Sequence, residues 1–245
     1  MNDKLVLKSL LVLLAIAFIV VQVMGMEFYG AGIKAVLLIG LTALYYMSVE
    51  QKSIYFKLFL LFFTAGAILD FVAWLELTTS LFNNKVYYYV INSLFIFAYL
   101  LLIIKVLRGL DLKILVRKLP FHIIILVVLD VFSVIVISET TEKVLNPTEY
   151  FLEFVYNSVV MALLSVALLN YIYRDDIKSM NLLIGSILIV FSEVIQLAYF
   201  YIESSNTLNI MCSVLLVGAF LFFYIHSTLK NSEPIMSPYS DDLKI

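Results

Sequence analysis

Long apolar runs separated by short polar connections set the pattern of this chain. A helix needs about 20 mostly apolar residues to cross the hydrocarbon core of a bilayer. Runs of that kind fall at 5–24, 29–48, 56–75, 87–107, 119–137, 149–172, 181–201 and 207–229. The sequence therefore predicts an all-α, polytopic transmembrane bundle of eight spans, with residues 1–230 as a single domain. A transmembrane β-barrel would alternate apolar and polar residues, whereas these runs are continuous. The first run follows Lys4 and Lys8 in the manner of a signal peptide, but it lacks a small-x-small cleavage site and is read as a retained anchor. The stretch 231–245, with Pro234, Ser237, Pro238, Asp241 and Asp242, reads as a polar, disordered tail.

Basic residues close to span ends stay on the cytoplasmic side, and here they are distributed one-sidedly. Lys4 and Lys8, then Lys52 and Lys57, then Lys105, Arg108, Lys113, Arg117 and Lys118, then Arg174 and Lys178, then Lys230 and Lys244 all fall to one face. Only Lys34, Lys85 and Lys143 fall to the other. Both termini are thus expected in the cytoplasm, tail included, and the protein in a bacterial inner (plasma) membrane. Eight spans keep this alternation consistent from end to end, since a missed span would invert every later loop.

Composition agrees. The 245 residues are 63% hydrophobic and 14% charged, with a mean hydropathy of +1.05, beyond what a soluble domain of this size tolerates. A net charge of −2 offers no basic surface for nucleic acid, which is excluded as a partner. One cysteine, Cys212, forbids an intramolecular disulfide, and with two histidines it cannot furnish a zinc site of the usual kind.

A charge in hydrocarbon costs about 2.5–3.5 kcal/mol on insertion scales, so each one needs a reason. Lys34, Asp70, Asp130 and Glu193 lie within spans, joined by Asn92, Tyr99, Glu153, Tyr156, Asn157, Ser192 and Gln196. At about 1.5 Å per residue, Lys34, Asp70, Asn92, Tyr156 and Glu193 share a layer roughly 8–12 Å beneath the outer surface. Five helices contributing to one layer outline a pocket in one dimension. Spacings of three, four and seven put Asn92 with Tyr99, Glu153 with Tyr156 and Asn157, and Glu193 with Gln196 on common faces. Asp130, with no polar residue sharing its face, reads as a hydrogen-bonded acid joining its span to a neighbour. Lys34 could also snorkel to the outer interface. Trp74 and the tyrosines at 87–89 suit an aromatic belt, and His122 and His226 lie near the cytoplasmic ends, away from the layer. Asp70 and Glu193, with Lys34 as a cation, can divide acid and base roles between them or relay protons.

Several segments resemble, in order, the YhhN-like family of eight-span membrane proteins, whose characterised members are lysoplasmalogenases. "AGIKAVLL" is similar to the Lys-Pro-Leu start of that family's second helix through Lys34, and "FFTAGAILDFVAW" to its apolar run ending in Gly-Asp through Asp70. "FIFAYLLLI" resembles the segment where the family carries a histidine, here Tyr99. "FVYNSVVMALLSVAL" resembles the Tyr-x4-Met-x3-Ala pattern through Tyr156, Met161 and Ser165. "IGSILIVFSEVIQLAYF" resembles the Gly-Ala-x-x-Phe-x-x-Ser-Asp helix through Gly185, Ser192 and Glu193. Ala35, Leu69, Tyr99 and Glu193 depart from the family's proline, glycine, histidine and aspartate.

The resemblance implies an intramembrane hydrolase that cleaves the vinyl ether of a lysoplasmalogen, or a related lysolipid, to a fatty aldehyde and a glycerophospho head group. Its catalytic pair would be Asp70 and Glu193, with Lys34, Asn92, Tyr99, Tyr156, Asn157, Ser192 and Gln196 binding substrate. No metal or organic cofactor is required. The alternatives are an inactive protein of the same fold and a proton-coupled transporter. No internal repeat is evident and none of the four prolines lies mid-span, which disfavours alternating access.

Overall fold

The computed structural model describes residues 2–50, 52–75 and 84–230, and among these the chain forms nine helices and no strand. They are α1 (Asn2–Val23), α2 (Glu27–Ser48), α3 (Ile54–Ala73), α4 (Asn84–Leu107), α5 (Leu112–Lys118), α6 (Pro120–Glu139), α7 (Pro147–Arg174), α8 (Ile177–Tyr201) and α9 (Asn206–Thr228). All except the seven-residue α5 are long and apolar enough to cross a membrane, which gives the eight spans expected. The tail at 231–245, including Lys244, and the Lys85 side chain lie outside the described residues.

Local chemistry sets the helix ends. Pro120 and Pro147 occupy the first turns of α6 and α7, where a missing N–H is harmless. Asn146 and Asp176 begin α7 and α8 through reciprocal capping boxes with Glu149 and Ser179. Gly25, at φ +70°, makes the tight turn from α1 into α2. Asp175 ends α7 at φ 49° in the left-handed region. The unanticipated α5 starts at Asp111, whose carboxylate accepts hydrogen bonds from Lys113 N and Ile114 N at 3.0 and 3.2 Å.

Seven of the long helices close a ring. In the order α1, α2, α3, α4, α7, α8, α9, each packs on the next, and α9 returns to α1. At the seam, Asn209 Nδ2 donates to Gln22 Oε1 at 3.3 Å and Asn206 Nδ2 to the Val23 carbonyl at 3.1 Å. The Tyr199 hydroxyl also donates to Glu27, tying α8 to α2. Helix α6 stands outside the ring against α7, and its Phe121, Ile124, Val128 and Phe132 are exposed, as a lipid-facing span requires. Asp130 on α6 faces Ser165 of α7, in keeping with a role in joining the two helices.

An aromatic block fills the middle of the ring. Phe59 and Phe223 are fully buried, and Phe59 stacks on Phe220 with ring centres 6.0 Å apart. Phe63 meets Phe220 and Phe95 at 4.7 Å each. The close approach of α8 to α9 depends on Gly185, where a Cβ would lie 2.7 Å from the Phe223 ring and 3.3 Å from the Ala219 carbonyl. Such aromatic pairs add about 0.5–1.5 kcal/mol each beyond the area they bury.

Candidate functional site

Above the aromatic block, a cavity of about 740 Å³ lies inside the ring and takes lining residues from all seven of its helices. That volume is within the range of small-molecule sites, about 300–1,000 Å³. Phe63, Phe95 and Leu216 form the deep part. Nearer the helix ends, the wall carries Gln22, Glu27, Lys34, Asp70, Asn92, Glu153, Glu193, Gln196 and Asn209. Trp74, Tyr87, Tyr88, Tyr199 and Tyr201 surround the mouth.

The polar groups fall into three clusters. Lys34 Nζ of α2 donates to Asp70 Oδ2 of α3 at 2.6 Å, forming an ion pair in the wall of the cavity. Across the cavity, the Tyr99 hydroxyl donates to Glu193 Oε1 at 2.5 Å, and Tyr156 is a second hydrogen-bond partner of that carboxyl. The Tyr99 and Tyr156 rings meet edge to face at 6.0 Å, so each phenol helps hold the other in place. Lys34 also lies within electrostatic reach of Glu193. The third cluster joins Glu153 to Tyr88, whose hydroxyl donates to Glu153 Oε2 at 3.3 Å, with Tyr201 alongside.

Helical register explains the convergence. Glu193 lies eight residues before the end of α8, about 12 Å at 1.5 Å per residue. Lys34 lies seven residues into α2 and Glu153 six into α7, about 10 and 9 Å from those helix ends. Helix α8 runs opposite to α2 and α7, so an offset from its end and comparable offsets from their starts bring the groups to a common level.

Lys34, Asp70, Asn92, Tyr156, Asn157, Ser192, Glu193 and Gln196 all line the cavity. Tyr99 is fully buried behind the wall and reaches the site through Glu193. Three of these residues have structural attachments. Asn92 Nδ2 donates to its own helix at the Tyr88 carbonyl at 2.8 Å, and Ser192 Oγ donates to the Cys212 carbonyl at 2.7 Å, pinning α8 to α9. Asn157 Nδ2 points toward Ser138 Oγ of α6 at 3.4 Å. The aromatic residues assigned to a belt, Trp74, Tyr87 and Tyr88, also border the cavity.

Sequence reasoning left Gln22, Glu27, Tyr199 and Asn209 out of the site. Each lies within about a turn of a helix end, where a polar residue costs little and attracts no attention. Glu153 was recognised as polar but given no role, although it is buried and joins Asp70, Glu193 and Glu27 as a fourth carboxyl on the lining. Among the described residues, no group of three or more His, Cys, Asp or Glu side chains is arranged to hold a metal ion. No family model, curated protein or solved structure matches the chain. The likeness to the YhhN-like family therefore rests on the order of its motifs alone.

Proposed function

We propose that this chain is a membrane-embedded hydrolase that cleaves the vinyl ether of a lysoplasmalogen or a closely related lysolipid by carboxyl acid–base catalysis. In this reading both termini lie in the cytoplasm and the membrane is the plasma membrane, an orientation that the charge bias at the span ends supports. The acidic cavity then opens toward the extracytoplasmic leaflet, where a single-chain lipid can reach it. The observation that carries this reading is the convergence of Asp70, ion-paired with Lys34, and Glu193, held by two phenols, on one cavity with an apolar floor.

The chemistry follows from the two environments. Glu193 gives its proton to the alkene carbon remote from the ether oxygen, leaving an oxocarbenium ion. Asp70, the anion of the ion pair, stabilises that cation and accepts a proton as water adds to it. The resulting hemiacetal breaks its bond to the glycerol oxygen, which takes the proton from Asp70 while the hemiacetal hydroxyl gives its proton to Glu193, so both carboxyl groups return to their starting state. The products are a fatty aldehyde and a glycerophospho head group, with one water consumed. Lys34 holds Asp70 in place, and Tyr99 and Tyr156 fix the Glu193 carboxyl. Asn92, Asn157, Ser192 and Gln196 contribute polar wall against the lipid head group. The aromatic block beneath the cavity supports an enzyme over a transporter, because a substrate crossing the ring would have to displace buried Phe59 and Phe223.

Purified protein in detergent, given a lysoplasmalogen, is expected to release aldehyde, and Asp70→Asn or Glu193→Gln to lower the rate by about 100-fold or more, as loss of an acid–base group does. Release no higher than that of the double variant would rule the hydrolase out. Proton-driven uptake of a solute into proteoliposomes would point to a transporter.

A further inference from the structure

The other end of the ring holds a second cavity, also of about 740 Å³, whose chemistry is the reverse of the first. Lys52, Lys105, Arg108, Arg174, Lys178 and Lys230 line it, against a single carboxylate, Glu50. These cations come from the α2–α3 connection, α4 and the turn after it, α7, α8 and the segment after α9, so the tertiary fold gathers them. Sidedness in the membrane explains basic residues at this end of the bundle, but it is equally well served by exposed side chains such as Lys113 and Arg117. It gives no reason for cations from separate helices to face one concavity.

The inner wall is built in detail. Lys105 Nζ lies 2.6 Å from Nε2 of the buried His226 and 4.7 Å from the centre of the Phe56 ring. Lys178 is close enough to Lys105 to act on it electrostatically, and the Asp176 carboxylate acts on Lys178 in turn. The Arg108 guanidinium stacks on Tyr55 at 4.6 Å. Arg174 donates to the Gly109 carbonyl and, through Nε, to Asn170 Oδ1 at 3.3 Å. Gly109 leaves room for this, since a Cβ there would lie 3.2 Å from the Arg174 Nη2. The Arg108 guanidinium thus lies against a tyrosine ring, and that of Arg174 is hydrogen-bonded to a carbonyl and a side-chain amide, beside several ammonium groups. Planar guanidinium forks match phosphate oxygens, and a multiply charged anion would offset the repulsion among the cations.

We propose that this basic cavity is a binding site for a phosphate group carrying two or more negative charges, supplied either by an anionic lipid head group or by a soluble phosphate compound. It is separate from the acidic cavity and does not depend on the activity proposed there.

The test uses the full chain purified in detergent. Retention of phosphatidic acid is compared with that of phosphatidylcholine by native mass spectrometry, and inorganic pyrophosphate is titrated in separate samples. The wild type is expected to prefer one or both phosphate probes over phosphatidylcholine. Arg108→Gln, and the double variant Lys105→Gln/Arg108→Gln, should weaken that binding by about tenfold for each charge-assisted hydrogen bond lost. Lys113→Gln/Arg117→Gln, which removes two charges from the same end but outside the cavity, should leave it unchanged. Phosphatidic acid binding without pyrophosphate binding assigns the site to a lipid head group; pyrophosphate binding of comparable strength assigns it to a soluble ligand. Because Lys105 touches buried His226 and its loss could disturb folding, Lys52→Gln at the exposed rim provides a further variant, also expected to weaken binding. No preference for either probe in the wild type, or equal loss in the Lys113/Arg117 control, would overturn the proposal.

Discussion

The Lys34–Asp70 pair permits a quantitative test of how the ring is held together. At 2.6 Å and an effective dielectric constant of about 20, Coulomb's law gives an attraction of about 6 kcal/mol before desolvation. The side chains are 18% and 31% exposed, between the open surface and the deep interior. Exposed pairs contribute about 0–1 kcal/mol, while removing one partner of a buried pair costs about 3–5 kcal/mol. Desolvation and screening should therefore leave a coupling of about 2 kcal/mol between the two residues, a factor of about 30 in the unfolding equilibrium. A double-mutant cycle measures it directly: Lys34→Met, Asp70→Asn and the double variant are compared with wild type by steric trapping in bicelles, which reports unfolding free energy in a lipid environment. Lys34→Met should be the more damaging single change, because it leaves a carboxylate in the wall without its cation. The double variant should recover much of that loss. Single effects that add within about 0.5 kcal/mol would show that the contact contributes nothing between α2 and α3, and that Lys34 is not what positions Asp70.

Two more outcomes follow from close contacts. Tyr99→Phe removes the 2.5 Å hydrogen bond to Glu193 while keeping the ring that packs on Phe63 and Tyr156, so aldehyde release should fall by about tenfold or more with the fold intact by circular dichroism; an unchanged rate would show that Tyr99 does not position Glu193 for the chemistry. Gly185→Leu forces a side chain against Phe223 and the Ala219 carbonyl and should destabilise the α8–α9 contact by at least the usual overpacking cost of about 1–3 kcal/mol, read as a lower melting temperature in detergent; an unchanged melting temperature would contradict that packing.

The spans were legible because hydrocarbon admits few alternatives: runs such as 5–24 and 207–229 differ from α1 and α9 by only a few residues at their ends. The level of the site was legible for a related reason. Ionisable residues such as Asp70 and Glu193 are conspicuous in apolar helices, and a fixed rise per residue converts position into depth. Depth carries no information about azimuth or neighbours, however. Nothing in the linear pattern says that α4 packs on α7 while α6 is left outside, because that choice depends on complementary surfaces rather than apolarity. The pairing of Tyr99 with Glu193 was missed for the same reason, being a contact between residues 94 positions apart. The basic cavity was hidden differently: its lysines and arginines had already been explained by membrane sidedness, and His226 was set aside as remote from the acidic layer.

A ring whose seam lies between α1 and α9 has a consequence for biogenesis. The helix that completes the wall beside α1 is α9, which follows the other six ring helices along the chain, and it brings Asn209 and the floor residue Leu216 with it. Until that helix arrives, the acidic chamber is a trough open on one flank to lipid. A nascent chain stalled before α9 would therefore hold Lys34, Asp70 and Glu193 without an enclosed compartment around them. Enclosure therefore waits for α9, although the carboxyl groups of the chamber are already in place on the helices before it.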